Sequence, residues 1–357
     1  MPHDHDVSRI LRRWYATHRR ALPWRDTRDP YRIWISEVIL QQTRVAQGMN
    51  YYRRFLERFP DVRALADAAE QDVLHLWQGL GYYSRARNLH AAARDIRDRF
   101  AGHFPTDYAD VRSLSGVGDY TAAAITSFAT GAPYAAVDGN VLRVIGRLFA
   151  IDTPTDTSAG RRLYSELARE LLPPDHAGEH NQAIMEFGAL QCVPRNPDCD
   201  ACPLAARCAA HTIGTPERFP VKQHRTKTID RYFHYFYVTL GPDLFLRRRP
   251  AGDIWQGLFE LPLIETSAPA ALDALIRTDD FRTLFADTGG ADIALVATDV
   301  RHVLTHRILH VACYTARIRR PSDALRRLTR LPREDLPLYP LPRLITLLID
   351  RVDAHEP

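Results

Sequence analysis

The chain has 357 residues, of which 45% are hydrophobic and 25% are charged. This composition is that of a globular protein and excludes a largely disordered one, and the length allows two domains. No apolar run is long enough to span a membrane, and the polar start is unlike a signal peptide. We therefore expect a soluble cytoplasmic protein with no membrane partner. The net charge of +4 does not by itself identify a nucleic-acid partner.

Arginine strongly predominates over lysine among the basic residues. Lys222 and Lys227 are the two lysines of the chain, and every other basic residue except histidine is arginine. Residues 1–221 therefore contain no lysine. Any reaction that needs a lysine amine as nucleophile is excluded in that region.

The first part of the chain is predicted to be helical, because apolar residues recur at a spacing of three or four along residues 7–210. A short helix capped at Thr106 or Asp107 precedes a glycine-containing turn. The longer predicted helices are Val7–Tyr15, Trp34–Leu40, Val62–Leu76, Leu89–Ile96, Tyr120–Thr130, Val141–Phe149, Ala159–Leu172 and Asn181–Gln191.

The pattern changes after this helical part. Residues 213–229 hold both lysines and two prolines without an apolar period, which is typical of a linker. Alternating and aromatic-rich runs then predict an α+β domain. Its predicted strands are Tyr232–Leu240, Leu244–Leu246, Ile293–Val296 and Ile308–Ile318, and its predicted helices are Ala268–Ile276 and Arg343–Val352. We expect a mainly α domain at 1–212 and an α+β domain at 230–357.

Four cysteines lie close together in the spacing C-x6-C-x2-C-x5-C: Cys192, Cys199, Cys202 and Cys208. In a soluble chain this density favours a metal centre over disulfides. A structural zinc site is one interpretation, but a single C-x2-C with uneven arms suits four-thiolate ligation of a [4Fe–4S] cluster better. The spacing resembles that of the endonuclease III superfamily of DNA glycosylases, which implies a [4Fe–4S] cluster in the loop 192–208.

A hairpin motif, Leu114-Ser115-Gly116-Val117-Gly118, precedes a predicted helix. Glycines at 116 and 118 permit a tight turn, and the amides of Gly116, Val117 and Gly118 at a helix N-terminus suit a DNA phosphate. Asp138 follows about twenty residues later at the start of another helix. Alone it would be read as an N-cap, but hairpin and acid together resemble the helix-hairpin-helix glycosylases, which implies a catalytic aspartate.

Position 120 separates two reaction types. The resemblance implies that bifunctional glycosylases carry a lysine here, which forms a Schiff base with the sugar. This chain has Tyr120 and no lysine in the domain. We therefore expect hydrolysis without strand cleavage.

A second acid, Glu37, stands inside an otherwise apolar helix. Such a residue is ordinarily a surface glutamate between buried positions. Apolar neighbours on both sides would, however, raise its pKa and keep it protonated, as a general acid requires. With an ionised Asp138 it would form the acid pair used in glycosidic cleavage.

Further motifs make the resemblance more specific. Leu22-Pro23-Trp24-Arg25, Ser36-Glu37 through Gln41-Gln42-Thr43, Gly79-Leu80-Gly81-Tyr82-Tyr83 and Val137-Asp138-Gly139-Asn140 resemble the MutY family of adenine DNA glycosylases. The resemblance implies that Glu37 protonates adenine and Asp138 stabilises the sugar cation, with Tyr120 and Asn140 orienting them. It also implies contacts to the extruded adenine from Trp24, Arg25 and Gln182. Contacts around the opposing 8-oxoguanine are implied for Gln42, Thr43, Leu80 and Tyr82.

The α+β domain begins like a Nudix domain. Phe245–Pro250 and Trp255–Pro262 carry this resemblance, but the glutamate-rich helix that binds magnesium in Nudix hydrolases is missing from Leu263–Ile276. We therefore expect a reader of 8-oxoguanine rather than a triphosphatase. The resemblance implies that Thr305 and His306 contact the damaged base, with Leu304 where the family has phenylalanine.

The predicted function is that of a monomeric, monofunctional base-excision-repair enzyme at the bacterial nucleoid. Its DNA partner is expected to be a duplex with adenine opposite 8-oxoguanine or guanine. Two alternatives remain. An endonuclease III-like glycosylase and lyase for oxidised pyrimidines is disfavoured by Tyr120 and by the second domain. A non-catalytic iron–sulfur DNA-binding or redox-sensing protein is disfavoured by the acids Glu37 and Asp138.

Overall fold

The computed structural model describes residues 4–223 and 228–355. It divides into two compact units, one formed by residues 4–67 and 88–223, the other by residues 68–87 and 228–355. Residues 224–227, which include Lys227 and belong to the predicted linker, lie outside the described residues. Among the described residues, we find no helix with both the length and the apolar character needed to cross a membrane.

Helices form nearly all of the regular structure up to residue 212, as the sequence predicts. They are α1 Asp4–His18, α2 Pro30–Leu40, α3 Val45–Arg58, α4 Val62–Asp67, α5 Glu70–Leu76, α6 Ser84–Arg99, α7 Tyr108–Arg112, α8 Asp119–Thr130, α9 Gly139–Leu148, α10 Ser158–Leu171, α11 Ala177–Leu190 and α12 Ala209–Thr212. Short 3-10 turns occur at Pro174–His176, Ala205–Arg207, Pro216–Arg218 and Arg333–Leu338. In the first unit, α1, α9, α10 and α11 enclose one apolar core.

Helix α2 is buried on almost every face. Asp29 caps its N-terminus by accepting a hydrogen bond from the backbone N–H of Tyr31, and Pro30 occupies its first position. All residues from Ile33 to Ile39 are buried. A polar side chain on this helix is therefore removed from water unless it reaches a partner.

Two predicted helices differ from the observed ones, and one observed helix was not predicted. The predicted helix Val62–Leu76 is two helices, because the chain leaves the helical conformation between Asp67 and Glu70. Helix α3 was not predicted, since its buried face consists of just Gly48, Tyr52 and Phe55 among polar residues. Of the predicted helix Ala268–Ile276, only Leu272–Leu275 is helical. Pro269 disfavours the helical conformation at Ala268, the residue before it.

The second unit contains a seven-stranded mixed sheet in the order β3-β2-β1-β6-β5, with β4 also pairing to β1 and β7 to β2. Its strands are β1 Ile229–Leu240, β2 Asp243–Arg248, β3 Phe259–Glu260, β4 Leu263–Thr266, β5 Ala291–Val303, β6 Arg307–Ile318 and β7 Thr329–Pro332. Strands β1 and β6 are parallel and the other pairs are antiparallel.

Helices cover both faces of this sheet. Helix α16 (Arg343–His355) packs on one face, and α14 (Asp279–Phe285) with α15 (Asp323–Arg326) packs on the other. Helix α13 (Leu272–Leu275) contributes Leu275 to the second of these cores. A central strand with apolar side chains on both sides explains why β1 reads as a nearly continuous aromatic run rather than an alternating one.

Candidate active site

Glu37 and Tyr120 are joined by a short hydrogen bond. The Tyr120 hydroxyl donates a hydrogen bond of 2.6 Å to Oε2 of Glu37. Glu37 is 8% exposed, and this burial raises its pKa to about 7. The negative charge of Asp138 raises the pKa further, while the bond from Tyr120 opposes the shift. Glu37 therefore keeps its proton at a pH at which an exposed glutamate has lost it.

Asp138 is the N-cap of α9, and its two carboxylate oxygens have different partners. Oδ1 accepts hydrogen bonds from the backbone N–H groups of Asn140, at 2.9 Å, and Val141, at 2.8 Å. Oδ2 accepts one from Nδ2 of Asn140 at 2.7 Å. Burial raises the pKa of Asp138, and these donors oppose that effect. The carboxylate thus caps a helix and also stands in electrostatic contact with Glu37.

Two residues next to Asn140, Arg143 and Gly188, were not identified from the sequence. Nη2 of Arg143 donates to Oδ1 of Asn140 at 2.9 Å, and its Nε donates to the carbonyl oxygen of Cys192 at 2.7 Å. A Cβ on Gly188 would lie 2.7 Å from Cβ of Asn140. The glycine therefore lets α11 approach Asn140 closely. Neither residue stands out from its sequence neighbours, because both contacts are tertiary.

Glu186, also missed, binds two arginines. Its side chain is inaccessible to solvent, and Arg25 donates to both carboxylate oxygens, at 2.7 and 2.6 Å. Arg20 makes a second pair of bonds to it, at 2.9 and 2.5 Å. Burial alone would raise the pKa of Glu186, but the bonds from Arg25 and Arg20 outweigh burial and lower it to about 2. This ion pair fixes the predicted site residue Arg25.

The other two residues predicted to contact adenine lie in different surroundings. Gln182 is one helical turn before Glu186 on α11, and its Oε1 accepts a 2.7 Å hydrogen bond from the Tyr15 hydroxyl. Tyr15, Arg25 and Gln182 line a polar cavity of about 800 Å³. Trp24 is buried and makes an edge-to-face contact with Tyr52. Trp24 therefore packs as part of the core beside this region.

The predicted hairpin is a tight turn between α7 and α8. Gly116 has a φ of +73°, and a Cβ there would lie 2.6 Å from Cβ of Asn88, so glycine is required for both reasons. Gly118 is the N-cap of α8 and makes no side-chain cap hydrogen bond. Val117 is buried. Asp107, rather than Thr106, caps α7.

Gln42 and Thr43 occupy the turn that follows α2. Gln42 is exposed and has a φ of +57°, and the backbone N–H of Thr43 donates to the carbonyl oxygen of Leu40. In the second unit, Leu80 is buried and Tyr82 is 47% exposed. The Tyr82 hydroxyl lies 2.5 Å from Oγ1 of Thr305.

The loop between β5 and β6 carries the predicted 8-oxoguanine contacts. Thr305 and His306 are exposed, and the His306 carbonyl oxygen accepts a hydrogen bond from the Ile229 backbone N–H. Leu304 packs against the apolar core of the sheet. Leu304, which stands where the family has phenylalanine, therefore attaches the loop to the core of the sheet.

The four predicted metal ligands, Cys192, Cys199, Cys202 and Cys208, all have partly buried side chains and form no disulfide. They line one cavity, and its accessible volume is about 30 Å³. Buried Arg147 donates from Nη1 toward Sγ of Cys192 at 3.4 Å and to the Val193 carbonyl oxygen at 2.7 Å. Within residues 4–223 and 228–355, no three histidine, cysteine or acidic side chains are placed to hold a single metal ion.

Carboxylates of the Nudix-like region are engaged with arginines. Glu265 bonds to Arg231 at 2.7 Å, and the fully buried Glu260 bonds to Arg247 at 2.6 Å and Arg249 at 3.1 Å. The sequence predicts no glutamate-rich, magnesium-binding helix after Pro262. Residues 263–266 form strand β4 at this place.

Comparisons with known proteins agree with this fold. Residues 35–170 match the HhH-GPD superfamily of base excision DNA repair proteins, and residues 234–351 match the NUDIX domain. The chain is thus a helix-hairpin-helix base-excision-repair protein with a C-terminal Nudix-like domain.

Individual relatives narrow the family. An adenine DNA glycosylase of Buchnera aphidicola subsp. Baizongia pistaciae is 35% identical over 254 residues, which cover 71% of this chain and 72% of that one. An adenine DNA glycosylase of Rattus norvegicus is 42% identical, over 72% of this chain and 60% of that one. The solved structure of a thermostable thymine-DNA glycosylase is 29% identical with a TM-score of 0.55, covering 59% of this chain and 97% of that chain. The chain belongs to the adenine DNA glycosylase family.

Proposed function

We propose that this chain hydrolyses the N-glycosidic bond of adenine that is paired with 8-oxoguanine or guanine in duplex DNA, without cutting the strand. One observation carries the proposal. A buried Glu37, whose pKa is raised to about 7, interacts electrostatically with Asp138, which accepts hydrogen bonds from three N–H donors. This is the combination that an acid-assisted glycosidic cleavage needs.

Glu37 acts as the general acid. Adenine is a poor leaving group as an anion, and a proton delivered to its ring makes it leave as a neutral base. Since the pKa of Glu37 is about 7, about half of the molecules carry this proton at neutral pH, and the acid gives it up readily. Tyr120 holds the carboxyl through its 2.6 Å hydrogen bond.

Asp138 stabilises the positive charge that develops on the sugar. Its hydrogen bonds to Asn140 and Val141 favour the ionised carboxylate and fix its direction. Asn140 is itself oriented by Arg143. A water molecule then completes hydrolysis at the sugar carbon.

Hydrolysis rather than lyase chemistry follows from the residue at position 120. A tyrosine hydroxyl forms no Schiff base with the opened sugar, and residues 1–221 contain no lysine that could substitute. The product is therefore an intact strand with an abasic site.

The substrate contacts are proposed as follows. Arg25, fixed by Glu186, and Gln182, fixed by Tyr15, bind the extruded adenine beside Trp24. Flipping the base costs a few kcal/mol of stacking. The Val117 backbone N–H donates to the Leu114 carbonyl oxygen at 3.1 Å, so the phosphate contact is assigned to the amides of Gly116 and Gly118 at the start of α8.

Recognition of the opposing base is assigned to two sets of residues. The turn residues Gln42 and Thr43 are proposed to enter the duplex next to 8-oxoguanine, and the same role is proposed for Leu80 and Tyr82. Exposed Thr305 and His306 contact the damaged base, because a hydroxyl and an imidazole can pair with its edge.

The four cysteines are proposed to bind a [4Fe–4S] cluster. The four thiols line one cavity, and their spacing, with a single C-x2-C and uneven arms, suits a cluster whose irons each take one thiolate better than it suits a single zinc ion. Arg147 supplies an N–H donor to one of the sulfurs. When bound, the cluster cross-links the loop 192–208. Equal amounts of iron and acid-labile sulfide in the purified chain, both lost in Cys199→Ser, are expected; zinc in their place would contradict the assignment.

We also propose that the enzyme works as a monomer on the chromosome, in the cytoplasm. One chain contains Glu37, Asp138 and the loop with Thr305 and His306, which supports a single working copy.

The test is an incision assay on a duplex with adenine opposite 8-oxoguanine. Strand cleavage is expected only after hot alkali. Cleavage without alkali, trapped by borohydride, would contradict the monofunctional mechanism. Asp138→Asn keeps the helix cap and removes the charge, so excision is expected to disappear while DNA binding persists. Asp107→Asn, which alters the matching N-cap of α7, is the control and keeps wild-type excision.

A further inference from the structure

The loop between α5 and α6 has an unusual backbone. Gly79, Gly81 and Tyr82 all have positive φ values, of +95°, +73° and +48°. For tyrosine this conformation costs about 1–2 kcal/mol, so it persists only where the surroundings fix it. The Tyr82 ring is nevertheless 47% exposed. Burial therefore does not account for its position.

Arg85 lies beneath this loop at the start of α6. Its side chain is buried at 9% exposure, and its guanidinium carbon is 5.2 Å from the ring centre of Trp77 and 5.6 Å from that of Tyr82. Both distances are those of cation–π contacts. Nη2 also donates to the carbonyl oxygen of Gly81 at 3.2 Å. The same oxygen accepts a 3.1 Å bond from Nε1 of Trp77.

The charge on Arg85 persists in this position. Burial lowers its pKa to about 10, which still leaves the side chain cationic at neutral pH. Burying a cation is costly unless it is paired or hydrogen-bonded. Here the ring faces of Trp77 and Tyr82 and the loop carbonyl oxygens compensate the charge. The guanidinium in turn stabilises the loop.

Thr305 supports the opposite end of the same ring. Its Oγ1 is 2.5 Å from the Tyr82 hydroxyl, and the turn that carries it is closed by a bond from the Leu304 N–H to the Arg307 carbonyl oxygen. The phenol is therefore fixed at its face by Arg85 and at its hydroxyl by Thr305.

We propose that Arg85 is a positioning residue that sets the orientation of the Tyr82 ring, and that opposite-base recognition depends on it although it is itself buried. The inference rests on the proposed function, in which Tyr82 enters the duplex. Lysine cannot replace Arg85, because an ammonium group lacks the planar fork that contacts two rings and a carbonyl together.

The test is a double-mutant cycle between Arg85 and Tyr82, with binding of duplexes that pair adenine with 8-oxoguanine or with guanine as the readout. Arg85→Lys is expected to weaken binding of the 8-oxoguanine duplex about tenfold and to reduce the preference over guanine. In a Tyr82→Ala background the same change is expected to have an effect of less than about twofold. Arg87→Lys is the matched control, since Arg87 lies on the same helix and donates to the Gln256 carbonyl oxygen.

Two results would overturn the inference. One is an Arg85→Lys loss of equal size with and without the Tyr82 ring, accompanied by a lower melting temperature, which indicates a structural role alone. The other is wild-type discrimination in Arg85→Lys. Failure of the wild-type chain to excise adenine from either duplex would instead contradict the proposed function.

Discussion

Glu37 and Glu186 are two buried glutamates of the same compact unit, yet their pKa values differ by several units. Glu37 receives one hydrogen bond from the neutral hydroxyl of Tyr120, and its pKa is about 7. Glu186 receives charged bonds from Arg20 and Arg25, and its pKa is about 2. The comparison teaches that burial alone does not decide the protonation state of a carboxyl group. Its partners do.

The two environments serve different purposes. An acid that must deliver a proton needs a raised pKa and a neutral partner, whereas an acid that must hold Arg25 in place needs a permanent charge. The following predictions separate these two roles, from the largest expected effect to the smallest.

Replacing Glu37 with Gln removes the proton donor and keeps the shape. The single-turnover rate of adenine excision is expected to fall by about 10²–10⁴-fold, the usual contribution of a general acid. Glu166→Gln, an exposed change on α10, is the control with a wild-type rate. A Glu37→Gln enzyme that retains more than about a tenth of the rate would remove Glu37 from the mechanism.

Replacing Glu186 with Gln leaves two arginines without their anion. The free energy of unfolding is expected to fall by about 3–5 kcal/mol, because removing one partner of a buried ion pair leaves a buried charge without compensation. Urea denaturation followed by far-ultraviolet circular dichroism, which reports mainly on the helical unit, measures this change. A loss below about 1 kcal/mol would mean that the arginines find water or other partners.

Glu37→Gln is also expected to stabilise the fold at alkaline pH. The folded-state pKa of Glu37 is raised from 4.5 to about 7, so the folded protein binds the extra proton between these values and loses stability as pH rises through them. At pH 8 the variant is expected to gain about 3 kcal/mol over wild type, and at pH 4.5 almost nothing. Equal stability of the two proteins at both pH values would show that Glu37 is not desolvated.

The smallest effect is expected from Tyr120→Phe. The hydroxyl of Tyr120 lowers the pKa of Glu37, so its loss raises that pKa further. The alkaline fall of the excision rate is therefore expected to move to higher pH, with a change of less than about tenfold at the optimum. A move of this limb toward acid pH is the contradicting outcome.

Much of the site could be predicted from the sequence. Glu37 stands in an apolar run because α2 is buried on almost every face, and Asp138 follows the hairpin at a fixed spacing along the chain. The fold class, a helical glycosylase region with a Nudix-like domain, is confirmed by the two family matches. Local patterns are sufficient where a short segment determines its own environment.

The remainder depends on contacts between distant segments. Glu186 occupies a helix position at which an exposed acid would be equally expected. The neighbouring sequence does not indicate its partners Arg20 and Arg25, which lie about 160 residues earlier. The segment 68–87 likewise has a helical pattern, yet it groups with residues 228–355. Its partners there include Arg248, which bonds to Glu70. Such pairings have no local signal in the chain.

The central claim, that a protonated Glu37 drives excision, is tested most directly by the pH dependence of the single-turnover rate on a duplex with adenine opposite 8-oxoguanine. Because the pKa of Glu37 is about 7, the rate is expected to fall about tenfold for each pH unit above that value. Glu37→Gln is expected to lose this alkaline limb. A wild-type rate that stays constant or rises from pH 7 to pH 9 would contradict the account.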